Sequence, residues 1–278
     1  MTVDQRWMSW DDDAPPPAEL YPEIPHPARM YDYYLGGKDN FPADREAAEK
    51  VLALGPMVRQ SARANRAFLQ RAVRQLAGLG VRRFIDIGTG IPTAGNTHEV
   101  AQRVHPDAQV AYLDNDPIVL VHSRALLSSR APGSTSVVQA DLREPAAILA
   151  DPTVRQLLSA GEPVALLLFA VLHFIDEADD PYRVVRTLVD ALPPGSYLAL
   201  SHGTGDFIPA PETSRGPAIY RNATAQLTLR TKAQVTRFFD GLDLLAPGVV
   251  TAPLWHPEQP PGETDAQVGI WAGVARKG

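Results

Sequence analysis

Hydrophobic positions recur at helical spacing up to Gly80 and in short runs beyond it. A first helical stretch over 43–54 is stopped by Gly55 and Pro56, and a longer one runs on to Gly80. In the longer stretch Leu69, Val73, Leu76 and Ala77 recur at i, i+4, i+7 and i+8, which makes one apolar stripe. The same helix carries Arg59, Arg63, Arg66, Arg71 and Arg74, a solvated face in which Arg63 or Arg66 could reach a carboxylate or phosphate. Beyond Gly80 the apolar runs predict strands over 83–87, 109–113, 136–138, 164–169, 196–201, 242–245 and 268–275. Helix starts fall between them: Asn96 with Glu99 three residues on, Asp116 before Pro117, Asp180 before Pro181, and Thr231 opening a helix that Gly241 closes. Alternation of this kind means parallel strands joined by right-handed helical crossovers. The pattern therefore predicts a doubly wound α/β domain over 81–278, with helices on both faces of its sheet, preceded by a loop and helices over 26–80. The stretch 203–220 reads as an insertion before the last strands.

Residues 1–25 have no hydrophobic period and combine Asp11, Asp12 and Asp13 with Pro15, Pro16 and Pro17, so they read as a flexible tail. Trp7 and Trp10 are its exceptions, either packed back on the domain or loosely attached. Such a start lacks the apolar run of a signal peptide, and no apolar stretch reaches the roughly 18 residues of a membrane span, so a cytoplasmic location with no membrane partner is expected. A formal charge of −6 gives no global field for holding a polyanion, which argues against a nucleic-acid partner. With no cysteine, thiolate metal sites and cysteine nucleophiles are excluded.

Open parallel sheets bind ligands beyond the carboxyl ends of their strands, so the strand tips carry the chemistry. The first ends Asp86-Ile87-Gly88-Thr89-Gly90, where two glycines allow a tight turn and a close ligand approach beside the Asp86 carboxylate. A dinucleotide fingerprint wants a third glycine where Thr93 stands, which weakens a NAD-dependent oxidoreductase reading. The second strand ends in Asp114, 24 residues beyond Gly90, a carboxylate able to accept both hydroxyls of a ribose. Asp116 is either a second such ligand or the N-cap before Pro117. After the third strand, Asp141 can accept from an exocyclic amine while Leu142 packs on its ring.

This order of acidic tips, with Ala170-Val171-Leu172-His173-Phe174 after the fourth strand and Leu192-Pro193-Pro194-Gly195 before the fifth, resembles class I S-adenosylmethionine-dependent methyltransferases. The segments at 29–41, 64–69, 86–93 and 112–117 resemble, more narrowly, a largely uncharacterised bacterial S-adenosyl methyltransferase family, over roughly 26–276. The resemblance implies a Rossmann-like, seven-stranded, mostly parallel sheet with an antiparallel last strand. It implies S-adenosyl-L-methionine as cofactor and S-adenosyl-L-homocysteine as product, with Gly88, Thr89 and Gly90 at the methionine moiety, Asp114 and Asn115 at the ribose, and Asp141 and Leu142 at the adenine. Phe169 and Ala170 would lie along the cofactor.

Methyl transfer needs neither a metal nor a covalent nucleophile, and no metal site is expected. His98 and His105 are placed seven apart on a surface helix. An acceptor carrying a proton would use a base, for which His202 and His173, at or just past strand ends, are candidates beside a structural reading of each. The segment 31–41, with Tyr31, Tyr34, Gly37 and Lys38, reads as an ordered loop, and the resemblance implies that it and the helices over 26–80 form a lid closing over cofactor and substrate; the alternative is plain packing of Tyr31 and Tyr34 on the domain. The acceptor is expected to be a small molecule. A cofactor-binding regulator without catalysis is the competing class.

Overall fold

The computed structural model describes residues 21–55, 57–127, 135–209, 215–221, 223–260, 262 and 264–278. The expected tail, with Trp7 and Trp10, lies outside them up to residue 20. Three helices come first: α1 (Pro27–Leu35), α2 (Pro42–Leu52) and α3 (Met57–Gly78). Then β1 (Arg83–Ile87), α4 (Thr97–Val104), β2 (Gln109–Asp114), α5 (Pro117–Leu127), β3 (Thr135–Gln139), α6 (Pro145–Ala150), α7 (Pro152–Ser159), β4 (Val164–Phe169), α8 (Pro181–Asp190) and β5 (Tyr197–Gly203) alternate. The chain ends with α9 (Arg215–Tyr220), α10 (Lys232–Thr236), β6 (Asp243–Leu244), β7 (Val250–Thr251) and β8 (Ile270–Arg276).

The sheet runs β3-β2-β1-β4-β5-β8-β6, with β7 also paired to β8. The first five strands in that order are parallel and β8 is antiparallel to β5. This is the doubly wound, Rossmann-like, mostly parallel sheet that was expected, with eight strands among the described residues where seven were predicted. The added one, β7, is two residues long, too short to show a period of two. Strand order reverses between β1 and β4, so their carboxyl ends open the crevice in which such sheets bind ligands.

Side chains alternate across the strands and fill two cores. Ile85, Ile87, Leu166, Leu168 and Leu200 meet Val184, Val185 and Leu188 of α8 on one face. Phe84, Tyr112, Leu167 and Phe169 meet Phe68, Leu69, Val73 and Leu76 of α3 on the other. The apolar stripe of α3 therefore belongs to the core of the sheet, and the expected boundary at residue 80 does not separate two cores. A third cluster, Met30, Tyr34, Ala48, Val51, Ala62 and Tyr220, joins α1 and α2 to α9.

The segment expected as a loop over 31–41 begins as helix. Pro27 occupies the first turn of α1, where its fixed φ suits a helix and its missing N–H costs nothing, and Gly36 closes it at φ 85°. Two buried carboxylates organise what surrounds it. Asp44 accepts from the backbone N–H groups of His26 and Phe41 and faces Arg29, while Asp32 accepts from Asp39 N–H and the Asn40 amide. Gly37 is required there because a side chain would overlap the Asp32 carboxylate.

Candidate functional site

The turn after β1 is held by its neighbours. Gly88 and Gly90 sit at φ 72° and 63°, a region that side chains avoid, and Gly88 N–H donates to Leu113 O at 2.8 Å. Asp114 then clamps two loops at once: Oδ2 accepts from Gly90 N–H and Oδ1 from Asp116 N–H, both at 2.9 Å. Burial pushes its carboxyl up to about 6, against the pull of these hydrogen bonds. Asp86 is likewise pushed up to about 6 by burial, opposed by the Thr97 hydroxyl, which donates to it at 2.6 Å, and by the charge of Arg66.

Past β3, burial would raise the Asp141 carboxyl, but the Arg143 side chain and N–H, with the Asn115 side chain, bring it below its usual value. Leu142 beside it is buried in the core. At the end of β4, Ala170 adopts φ 52°, unusual for a residue with a side chain. Its N–H is held by Ser201 Oγ at 2.9 Å, and Ser201 donates in turn to Asn65 Oδ1 at 2.5 Å. The Asn65 amide donates to the Tyr31 hydroxyl, which donates to Ala62 O, each at 2.9 Å. One chain of hydrogen bonds thus ties the strained end of β4 to β5, α3 and α1.

These elements surround a cavity of about 730 Å³. Asp86, Gly88, Thr89, Gly90, Asp114, Asn115, Asp141, Leu142, Phe169 and Ala170 all line it, with Tyr31, Tyr34 and His173. The space where a Gly90 side chain would begin is open, with no atom within 4 Å.

A family model described as S-adenosyl methyltransferase matches residues 13–278. The chain belongs to this family. A crystal structure of a DUF574 family protein from Streptomyces avermitilis MA-4680 shares 45% identity over 93% of this chain and 100% of its own, with a TM-score of 0.88. That of a candidate methyltransferase from Thermobifida fusca YX shares 41% identity over 94% of this chain and 98% of its own, with a TM-score of 0.86. A search of curated proteins returns no match. No helix of the described residues is long and apolar enough to cross a membrane.

An S-adenosylmethionine-dependent methyltransferase must hold a ligand carrying a sulfonium, an ammonium, a ribose diol and an adenine amine. Three carboxylates on one cavity, an open glycine turn and a buried leucine beside the third carboxylate suit that set of groups. Asp116 takes the capping role: its Oδ1 accepts from Ile118 N–H at 2.9 Å and its Oδ2 lies 3.0 Å from Nδ1 of His26. His26, which lines the cavity, was not singled out from the sequence, and neither were Asn65 and Tyr220. The only trace of Asn65 was its place in the 64–69 segment that carries the family resemblance.

Several candidates of this methyltransferase sit elsewhere than expected. His202 is fully buried and does not line the cavity. Its Nδ1 donates to Gly203 O at 2.8 Å and its Nε2 accepts from Arg230 at 2.9 Å, so neither nitrogen is free to take a proton from an acceptor. Burial, with His173 and Arg230 nearby, holds it well below the usual imidazole range. His173 does line the cavity, but burial and Arg230 lower it to about 3, and its Nδ1 accepts from Gly203 N–H at 3.1 Å. The neutral ring then carries its proton on Nε2 and is a donor there, not a base. Gly37 and Lys38 do not line the cavity, because Gly37 wraps Asp32 and Lys38 is exposed. His98 is buried rather than on a surface, with Nδ1 2.7 Å from the Tyr112 hydroxyl.

Proposed function

We propose that this enzyme methylates a small-molecule acceptor by in-line transfer, with S-adenosylmethionine held along the carboxyl ends of β1 to β4 and the acceptor between the first three helices and the stretch after β5. One observation carries the reading: the cavity lined by the three acidic strand tips continues without a break into space lined by Tyr34, Val58, Phe207 and Tyr220. Asp114 would take the ribose hydroxyls, Asp141 and Leu142 the adenine, and Asp86 with the Gly88 to Gly90 turn the methionine end. S-adenosylmethionine supplies a methyl group already activated on a sulfonium. What remains for the protein is placement and exclusion of water. Asn65 fixes Tyr31 and, through Ser201, the end of β4, while His173 keeps a proton on Nε2 as a neutral donor to the acceptor.

The test is calorimetric. S-adenosylmethionine and S-adenosylhomocysteine should bind and NAD should not; heat from NAD alone would reverse the assignment. Asp114→Asn removes the charge and also one of the two backbone bonds, because its NH2 would face Gly90 or Asp116 N–H, and it should weaken S-adenosylhomocysteine by at least about 1.5 to 3 kcal/mol, the worth of a hydrogen bond to a charged acceptor. An unchanged affinity would remove Asp114 from the ribose.

Affinity should also depend on pH. Asp86 and Asp114, both near 6, ionise as pH rises through that value, and a cationic ligand binds the ionised pair more tightly. S-adenosylmethionine should therefore bind more strongly at about pH 7 than at about pH 5, releasing protons seen as buffer-dependent heat. The sign is opposite for the unliganded fold. Because both folded values lie above the unfolded 3.8, the stability they contribute is full below that value and lost as pH rises through 6. An affinity flat across this range would contradict the assignment.

A further inference from the structure

The charges on the cavity wall are unevenly distributed. Every described acid lining it, Asp86, Asp114, Asp141, Asp176 and Asp179, lies in or after one of the strands β1 to β4. From α1 to α3 and from residues 203 to 229, the described lining residues include only two guanidiniums. Arg66 donates to Asn96 at 2.7 Å and lies within charge range of Asp86, with its Nε buried and unpartnered, and Arg221 is exposed. His26, the one imidazole among the described residues of that wall, is lowered by burial against the charge of Asp116 and stands beside that carboxylate. The other described residues of that wall are apolar or neutral, with the rings of Tyr31, Tyr34, Phe207 and Tyr220 prominent.

One polar feature interrupts it. The hydroxyls of Tyr34 and Tyr220 lie 3.2 Å apart, the first on α1 and the second at the end of α9. Burial pushes Tyr220 up to about 12 and Tyr34 further up, so both keep their protons at neutral pH. Two hydroxyls hold two protons, and the bond between them uses one. Whichever donates, the other O–H remains for a third group.

Resting on the methyltransferase reading above, we propose that this part of the cavity binds an uncharged, ring-containing acceptor through a hydrogen-bond-accepting oxygen that meets the Tyr34 and Tyr220 hydroxyl pair. The aromatic wall favours a flat ring, which can stack or meet it edge-on. Among the described residues a cationic acceptor would meet no carboxylate on this side, and an anionic one only Arg66, already within charge range of Asp86, and the exposed Arg221, so a charged acceptor carries a desolvation penalty that a neutral one escapes. The pair joins an element before the sheet to one inserted after β5, so the two segments outside the parallel strands would together select the acceptor.

The experiment titrates the full chain, with and without saturating S-adenosylhomocysteine, with three probes sharing one ring system: 2-naphthol, 2-naphthoate and 2-(aminomethyl)naphthalene. We expect 2-naphthol to bind at least about tenfold more tightly than either ion. Tyr220→Phe should weaken 2-naphthol by about three- to tenfold and leave S-adenosylhomocysteine affinity unchanged. Either ion binding as tightly as 2-naphthol, no binding of 2-naphthol, or indifference to Tyr220→Phe would overturn the proposal. Failure of S-adenosylhomocysteine to bind would instead strike the cofactor reading, and the three probes on the unliganded chain would still decide the acceptor class.

Discussion

Arg230→Ala lowers the stability of the fold by about 3 to 5 kcal/mol, the range for removing one partner of a buried charged network. Arg230 is 1% exposed, and its side chain spends its donors on Leu172 O at 3.0 Å, Ile175 O at 2.9 Å, His202 Nε2 at 2.9 Å and Glu177 Oε1 at 3.0 and 2.9 Å. Its guanidinium also lies 5.7 Å from the Phe238 ring centre. Alanine strands two carbonyls and an imidazole nitrogen in a dry space, each at a cost of about 1 to 3 kcal/mol. Glu177 contributes little to the loss, because it is 61% exposed and water replaces the guanidinium. Lysine should recover only part, since its three donors radiate from one atom whereas the guanidinium fork reaches five directions. Urea unfolding of both variants measures this, and a loss below about 1 kcal/mol for alanine would show that the network is not coupled to the fold. The function is affected in the same stroke, because the turn that Arg230 holds carries His173.

His202 and Arg230 also show where reading the sequence stops. A histidine just beyond a strand among glycines has the look of a catalytic base, and nothing within several residues contradicts it. Its partner stands 28 residues later, beyond the insertion, and only the fold brings the guanidinium to Nε2. The strand tips are the opposite case. Asp86, Asp114 and Asp141 were legible because each follows a recognisable apolar run, and a parallel sheet places the ends of such runs along one edge whatever the details of packing. Helix starts at Asp180 and Thr231 were equally local, since each side chain caps its own helix.

The amino-terminal segment lies between these cases. His26-Pro27 opens α1 with a start signal that sequence reading passed over, because the tyrosines that follow favour strands or turns over helices. The Gly36-Gly37 pair suggested a moving lid, yet one glycine closes a helix and the other makes room for the Asp32 carboxylate, a group whose burial no local pattern reveals. Asn65 was hidden for a similar reason. On a helix otherwise read as an apolar stripe and an arginine face, a single amide gains its meaning only from Ser201 and Tyr31, which meet it from two other elements.

Gly88→Ala should abolish measurable binding of S-adenosylhomocysteine and destabilise the fold by a few kcal/mol. Two effects act together. At φ 72° a residue with a side chain carries about 1 to 2 kcal/mol of backbone strain. The new methyl would also overlap the Val171 side chain, coming 2.6 Å from its Cβ, and relief requires either the turn or the segment after β4 to move. Those are the two walls between which the methionine end of the cofactor is proposed to lie, so either movement distorts the site. Gly90→Ala separates the causes. Its φ of 63° brings comparable strain, but its side chain would enter open space. If the cavity above Gly90 is where the cofactor approaches the bare backbone, Gly90→Ala should weaken S-adenosylhomocysteine binding out of proportion to its cost in stability, whereas Gly88→Ala should damage both. Thermal unfolding and calorimetry on the same two variants read this, and a Gly90→Ala protein that loses stability yet binds normally would move the cofactor away from the turn.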